Sequence, residues 1–258
     1  MKKYISDWRI KENIVLGDKY FLLKLCLEKS LPKILPGQFV QVKMQDSENT
    51  FLRRPISVHY VINNELWLLI KIVGKGTYKL SKIQPNEYLN LIYPLGNGFS
   101  VPSDFSKNKK IFLIGGGIGI APLLYLGYYL KNLNFDPIFL LGLKTENDLL
   151  QLSEFRRHGT VYITTENGML GEKGFVTDHS LLFTVNVNFI YACGPIPMMI
   201  SVAKYAKKYN IQCEVSLENR MACGFGVCLC CIEKTKQGNI CICKKGPVIN
   251  INKLKWQI

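Results

Sequence analysis

The twenty residues from Ile111 to Leu130 carry no charge, and they constrain the fold more than any other stretch of this chain. As one helix they would be long enough to cross a bilayer. Yet Gly115, Gly116, Gly117 and Gly119 fall within five positions, and Pro122 follows. Glycine weakens a helix interior, and proline starts helices better than it continues them. A strand over Ile111-Phe112-Leu113-Ile114, a glycine turn and an apolar helix through Leu130 account for that order better than a continuous span, so no membrane association is expected. Such a turn has two readings. Glycines let a backbone approach a pyrophosphate while the helix start offers its N–H groups. They also allow tight packing of strand against helix, and the run Gly115-Gly116-Gly117-Ile118-Gly119-Ile120-Ala121-Pro122 departs from the G-x-G-x-x-G dinucleotide fingerprint.

The pattern downstream repeats strand and helix. Pro137-Ile138-Phe139-Leu140-Leu141-Gly142, Val161-Tyr162-Ile163-Thr164 and Asn188-Phe189-Ile190-Tyr191-Ala192-Cys193 read as buried parallel strands, with helical segments such as Ile196 to Lys208 between them. That is a Rossmann-like open α/β sheet, and Cys193-Gly194-Pro195 lies at a strand's C-terminal end, where ligands of such sheets bind. For Cys193 alone, a small buried side chain is the simpler reading. Upstream, short apolar runs (Tyr20 to Leu27, Gln38 to Lys43, Leu66 to Val73) are separated by Pro32, Pro36-Gly37, Asn63-Asn64 and Gly74-Lys75-Gly76. Closely spaced strands without long helices predict a small antiparallel β barrel. The fold class expected is therefore a β barrel plus α/β, in three units: a barrel over 1–100, an α/β domain over 101–211 and a Cys-rich module over 212–258. The polar run Ser103 to Lys110 reads as the linker between the first two.

A net charge of +14 can attract phosphates, nucleic acid or an acidic partner. The lysines are spread without a run of five, and no nucleic-acid module is recognisable, so a solvated basic surface is expected and nucleic acid is not. Met1 to Trp8 is basic with no apolar run behind it, which predicts no secretory signal and a cytoplasmic location.

Six of the nine cysteines (Cys223, Cys228, Cys230, Cys231, Cys241 and Cys243) lie within twenty-one residues. In a chain without a secretory signal, that density predicts metal ligation rather than disulfides. Cys223-x4-Cys228-x2-Cys231 follows the start of the plant-type ferredoxin spacing, with Gly224 and Gly226 letting the loop wrap closely. Zinc is the rival, although it usually takes paired C-x2-C knuckles. Spacing alone leaves Cys241 and Cys243 both open as the fourth ligand.

Arg53-Arg54-Pro55-Ile56-Ser57 ends one apolar run and Gly74-Lys75-Gly76-Thr77 follows another. An arginine can pair with a pyrophosphate and a glycine turn can admit one. Taken in order with Pro94-Leu95-Gly96-Asn97-Gly98-Phe99, the glycine turn and Cys193-Gly194-Pro195, the chain resembles the ferredoxin–NADP reductase superfamily. The run Met221 to Cys231, closing with Cys243-Lys244-Lys245-Gly246-Pro247-Val248, narrows the resemblance to the electron-transfer subunits of class 1B dihydroorotate dehydrogenases, over essentially the whole chain.

That resemblance implies FAD held by Arg54, Pro55, Ile56, Ser57, Leu69, Ile70, Lys71, Gly76 and Thr77 in the barrel. It implies NAD as substrate of the α/β domain, with Gly115, Gly116, Gly117, Gly119, Cys193, Gly194 and Pro195 around it. It implies a [2Fe–2S] cluster on Cys223, Cys228, Cys231 and Cys243, the Cys-x-x-Gly-Pro-Val match selecting Cys243. Family members pair, two plus two, with an FMN-containing catalytic subunit that oxidises dihydroorotate to orotate in pyrimidine biosynthesis. Electrons then run from that FMN through cluster and FAD to NAD⁺, since a flavin alone trades both single electrons and hydride. NAD is expected over NADP, although Lys144 is a candidate for a 2′-phosphate. The alternative is a related reductase subunit such as that of NADH-dependent ferredoxin–NADP oxidoreductase; a zinc-stabilised binding module is the reading from another class. Tyr93 departs from the family pattern where a glycine is expected, Cys230 and Cys241 are extra thiols, and His59, His158 and His179 carry no motif and read as surface or packing residues.

Overall fold

The computed structural model describes residues 2–44, 51–102 and 109–256, so most of the expected linker (103–108) lies outside the described residues. The N-terminal part contains β1 (Tyr4–Leu16), β2 (Tyr20–Cys26), β3 (Phe39–Val42), β4 (Arg54–Ser57), β5 (Tyr60–Ile62), β6 (Glu65–Lys71), the short helix α1 (Lys75–Leu80) and β7 (Tyr88–Leu95). β1 turns back into β2 through Gly17, whose φ of 70° suits glycine, and its alternating residues Trp8 and Ile10 are fully buried in the barrel core. The strands form one sheet in the order β4-β3-β7-β1-β2-β6-β5, antiparallel at every pair.

The two edges of that sheet belong to one stretch of chain. Residues of β4 pair with β3, and Val58 N–H still donates to the Gln38 carbonyl at 2.9 Å. One residue later His59 N–H donates to Trp67 O at 3.0 Å, and β5 continues along β6. The chain thus changes partner between Val58 and His59 and closes the barrel. Between β4 and the Leu69–Lys71 end of β6, no backbone bond forms among the described residues, and a wedge opens there.

The second sheet is built from β8 (Ile111–Gly116), α2 (Ala121–Asn132), β9 (Pro137–Leu143), α3 (Leu152–His158), β10 (Thr160–Thr165), β11 (Glu172–Lys173), α4 (Leu181–Thr184), β12 (Phe189–Cys193), α5 (Ile196–Lys208) and β13 (Gln212–Ser216). Its order is β11-β10-β9-β8-β12-β13, parallel throughout. The uncharged stretch is therefore strand, a 3₁₀ turn at Gly117–Ile120, and helix, as expected. α2 has almost no polar face because both of its sides are covered. Gly127 lies so close to β9 that a Cβ would fall 2.2 Å from Phe139, while Tyr125 and Tyr128 meet Tyr60 of the barrel at 6.0 and 5.1 Å.

The Cys-rich segment forms the hairpin β14 (Ile232–Thr235) and β15 (Gly238–Cys241), the turn α6 (Ile242–Lys245) and β16 (Val248–Asn250). β16 pairs antiparallel with β13, adding a seventh strand to the nucleotide-type sheet. That sheet accordingly runs past residue 211 and takes in strands on both sides of the cysteines. No helix among the described residues is long and apolar enough to cross a membrane.

Candidate functional site

A cleft of about 350 Å³ occupies the wedge. Arg54, Pro55, Ile56 and Ser57 form one wall, Leu69, Ile70, Lys71 and Thr77 the other, and all eight come from the expected flavin set. Gly76, the ninth, faces the same arginine: a Cβ on it would sit 3.2 Å from Arg54 Nε. Arg54 Nη1 donates to the Leu52 carbonyl at 2.8 Å and meets no carboxylate among the described residues, which leaves its charge for an anion. Thr77 Oγ1 is taken up locally, accepting from Val73 N at 2.9 Å and Gly74 N at 3.2 Å, so it shapes the turn. The cleft is closed by residues outside the expected flavin set: Phe39 of β3, Ile118 and Ala121 of the glycine turn, and Ser216 to Asn219, Met221 and Pro247 from the C-terminal segment. Barrel, glycine turn and cysteine module meet in this one space.

The glycine turn divides into two kinds of position. A Cβ on Gly119 would lie 2.4 Å from Cys193 O and 2.5 Å from Gly194 Cα; one on Gly116 would lie 2.4 Å from Met198 Sδ; one on Gly115 would lie 2.8 Å from Ile120. Gly116 and Gly119 serve packing of the turn against Cys193 to Met198, and Gly115 serves packing against the start of α2. Gly117 differs, with φ of 54° and nothing within 4 Å of its would-be Cβ, so it faces open space. Cys193 is fully buried, and burial pushes its thiol well above the ordinary value, next to Glu218 and Ser216. Glu218 opens onto the cleft yet is crowded by protein, and that burial raises its carboxyl pKa. The expected neutral packing residue at Cys193 is what its surroundings allow.

In the cysteine loop, the Cys223 sulfur accepts from Val227 N at 3.4 Å and Phe225 N at 3.5 Å. Burial opposes ionisation there, but these amides and that of Cys228 overcome it and lower the Cys223 pKa to about 6. Cys228 also meets Cys223 directly. Cys243 N donates to Cys231 Sγ at 3.3 Å, and burial together with Cys231 and Cys223 pushes the Cys243 thiol up. The four expected ligands are thus neighbours, in a loop that turns at Gly224 and Gly226 with φ of 81° and 88°. No three His, Cys, Asp or Glu side chains converge at metal-ligand geometry among the described residues. Cys231 and Cys243 are buried, whereas Cys230 is exposed. Two pairs of soft sulfur ligands around a glycine loop with inward amides suit an iron–sulfur cluster.

Three residues or motifs find roles the sequence did not supply. Gly96 and Asn97 of the Pro94–Phe99 run grip the end of the cysteine module: Asn97 N donates to Gly246 O and its Nδ2 to Lys245 O at 3.0 Å, while a Cβ on Gly96 would strike Pro247 at 2.5 Å. Tyr93, the departure from the pattern, fills the barrel against Tyr4 and Trp8 at 5.9 and 5.0 Å. His59 is fully buried between the domains, its Nδ1 2.6 Å from Ala121 O and its Nε2 2.6 Å from the Gln151 side chain. Burial lowers its pKa, and a neutral ring has one N–H to give to the two acceptors that face it, Ala121 O and Gln151 Oε1.

A barrel and a parallel sheet enclosing one cleft define the ferredoxin-reductase type of flavoprotein, and solved structures match it. The structure of an NADH-dependent reduced ferredoxin–NADP oxidoreductase superposes with a TM-score of 0.85 at 25% identity, over 96% of this chain and 90% of that one. The ferredoxin reductase of carbazole 1,9a-dioxygenase shares the fold, with a TM-score of 0.68 at 20% identity over 82% of this chain and 67% of its own. Residues 218–255 match the model of the iron–sulfur cluster binding domain of dihydroorotate dehydrogenase B. The dihydroorotate dehydrogenase B (NAD(+)) electron transfer subunit of Clostridium acetobutylicum is 37% identical over 96% of each chain. That of Caldanaerobacter subterraneus is 34% identical over 93% of this chain and 96% of its own. The chain belongs to the family of dihydroorotate dehydrogenase B (NAD(+)) electron transfer subunits.

Proposed function

We propose that this chain carries electrons from a catalytic subunit oxidising dihydroorotate to NAD⁺, using FAD and a [2Fe–2S] cluster. The observation that carries it is the single cleft where Arg54–Ser57, Leu69–Lys71, the Ile118–Ala121 turn and the Leu217–Met221 strap meet. Bound FAD exchanges hydride with nicotinamide and single electrons with the cluster. The chain's own residues do the placing. Arg54 and Gly76 take the pyrophosphate, Pro55, Ile56 and Ser57 line one side, and the unpaired backbone edge of Leu69, Ile70 and Lys71 offers hydrogen bonds on the other, with Thr77 holding the turn. Gly117 leaves room for the nucleotide, and Gly115, Gly116, Gly119, Cys193, Gly194 and Pro195 shape the floor beneath it. Cys223, Cys228, Cys231 and Cys243 ligate the cluster, with the amides of Phe225 and Val227 favouring the thiolate of Cys223.

The reading divides the chain into a barrel over 1–100, a nucleotide domain from 101 that includes β13, and a cysteine module thereafter. The partner is an FMN-containing catalytic subunit in a two-plus-two heterotetramer in the cytoplasm. The test is orotate formation coupled to NAD⁺ reduction, with each subunit alone and then both. This chain alone should oxidise NADH with dyes and leave dihydroorotate untouched. Oxidation of dihydroorotate by this chain alone, or failure of a fully loaded pair, overturns the reading.

A further inference from the structure

Strand β3 carries a side chain that the barrel does not use. Its residues alternate: Val40 and Val42 enter the barrel core, whereas Phe39 and Gln41 point the other way. Phe39 lines the cleft and packs in the same apolar cluster as Cys231 and Cys243, with Cys223, Met221 and Ile92 against it. Gln41 pairs across the sheet with Pro55 and Ile92, so its side chain enters those surroundings. It is completely buried, and neither its Oε1 nor its Nε2 has a hydrogen-bond partner among the described residues. Its main-chain oxygen accepts from Arg53 Nη1 at 3.2 Å.

The amide abuts the cysteine loop. A Cβ on Gly224 would fall 2.6 Å from Gln41 Cγ and 2.7 Å from Nε2, and Gly224 directly follows Cys223. Glycine is required there for its φ of 81° and because Gln41 occupies the space a side chain would need. A buried amide left with neither partner is destabilising. A leucine or methionine would fill the same volume without that cost. An orphaned donor held against a ligand loop calls for an acceptor that arrives with the cluster, and cluster sulfurs are such acceptors.

We propose that the Gln41 side-chain amide donates a hydrogen bond to the [2Fe–2S] cluster at its Cys223 end, setting the cluster's potential from the barrel. The proposal rests on the cluster reading above. A hydrogen bond to a sulfur favours the reduced, more negative form and so raises the potential. Gln41→Met keeps length and volume and removes the donor. In the holoprotein it should retain FAD and iron, while at fixed ambient potential the reduced-to-oxidised ratio of the cluster falls roughly tenfold, about 59 mV for one electron. The flavin potential should not move. Pulsed EPR on wild-type protein with ¹⁵N-labelled glutamine side chains should show nitrogen coupling to the reduced cluster, lost in Gln41→Met. An unchanged cluster potential in a fully loaded variant overturns the proposal. Should the variant not hold its cluster, absence of the ¹⁵N coupling in wild type overturns it and presence upholds it. Zinc, or no iron, in the wild-type protein removes the cluster reading itself, and the proposal with it.

Discussion

The glycine turn offers a test that separates packing from ligand approach. At Gly119 a methyl group would be 2.4, 2.5 and 2.6 Å from Cys193 O, Gly194 Cα and Cys193 C, all backbone atoms that cannot rotate aside. Relief requires moving the end of β12 away from the turn by about 1 Å, since ordinary contact begins near 3.4 Å. β12 is held in register on both sides, with Cys193 opposite Gly115 and Ser216. Overpacking of this kind costs typically 1–3 kcal/mol, and with only backbone in the way Gly119→Ala belongs near about 3. For a chain of this size that lowers Tm by roughly 6–12 °C. Gly117 has no such neighbour, and its φ of 54° is one that asparagine tolerates, so Gly117→Asn should shift Tm by only about 2–4 °C, for a cost of about 1 kcal/mol. Its side chain nevertheless enters the open space in front of the turn. KM for NADH should therefore rise about tenfold or more, the 1.4 kcal/mol of one lost close approach, with flavin content unchanged. Thermal unfolding of the holoproteins and NADH–dye kinetics on the same preparations measure both. A Gly119→Ala protein with wild-type Tm, or a Gly117→Asn protein with wild-type KM, would refute the division.

The other expectations concern ligands, cofactor choice and pH. Alanine at Cys223, Cys228, Cys231 or Cys243 should abolish or sharply reduce iron content, while Cys230→Ala and Cys241→Ala keep it; iron analysis and visible spectra decide, and an empty site in Cys241→Ala alone would move the fourth ligand there. NADH should be preferred over NADPH by steady-state kinetics, as the family resemblance implies, although Lys144 directly follows β9; a clear preference for NADPH reverses this. Because burial lowers the pKa of His59, the unfolded chain binds a proton that the folded one does not, and stability should fall as pH drops below about 6.5, by at most about 1.4 kcal/mol per unit. Equilibrium unfolding at about pH 7 and about pH 5.5 should show a shallower loss in His59→Gln, and equal slopes would remove His59 from the account.

Some of this was legible because it is local. Glycines between Ile114 and Pro122 break an apolar run wherever it sits, and the spacing of Cys223, Cys228 and Cys231 survives any fold. Other features are set by distant pairing. The wedge exists because the chain leaves β3 at Val58 and joins β6 at His59, which no spacing in Arg54 to Ser57 reveals. β1 is hard to read because its alternation breaks at Glu12, where the register shifts, and Ile5 and Val15 face solvent. The sheet's seventh strand depends on β16 returning after the cysteines. Gln41 in a strand reads as a surface residue until the cysteine loop is seen to cover it.

That covering explains why so short a module can hold its shape. Its hairpin β14–β15 is exposed along much of its length and has little core of its own. What fixes it comes from elsewhere. β16 is a strand of the nucleotide sheet, Asn97 of the barrel holds Lys245 and Gly246, Pro247 O accepts from Leu217 N at 2.9 Å, and Phe39 and Leu95 share a core with Cys231, Ile242 and Cys243. Both larger units therefore clamp the cysteine loop, and both also line the cleft beside it. A displacement of barrel against sheet cannot leave the cysteines where they were, because Gly96 and Gly224 have no room to yield. The distance between cleft and cluster loop is thus a property of the whole chain, which suits a protein whose work is to hold redox centres at fixed separation.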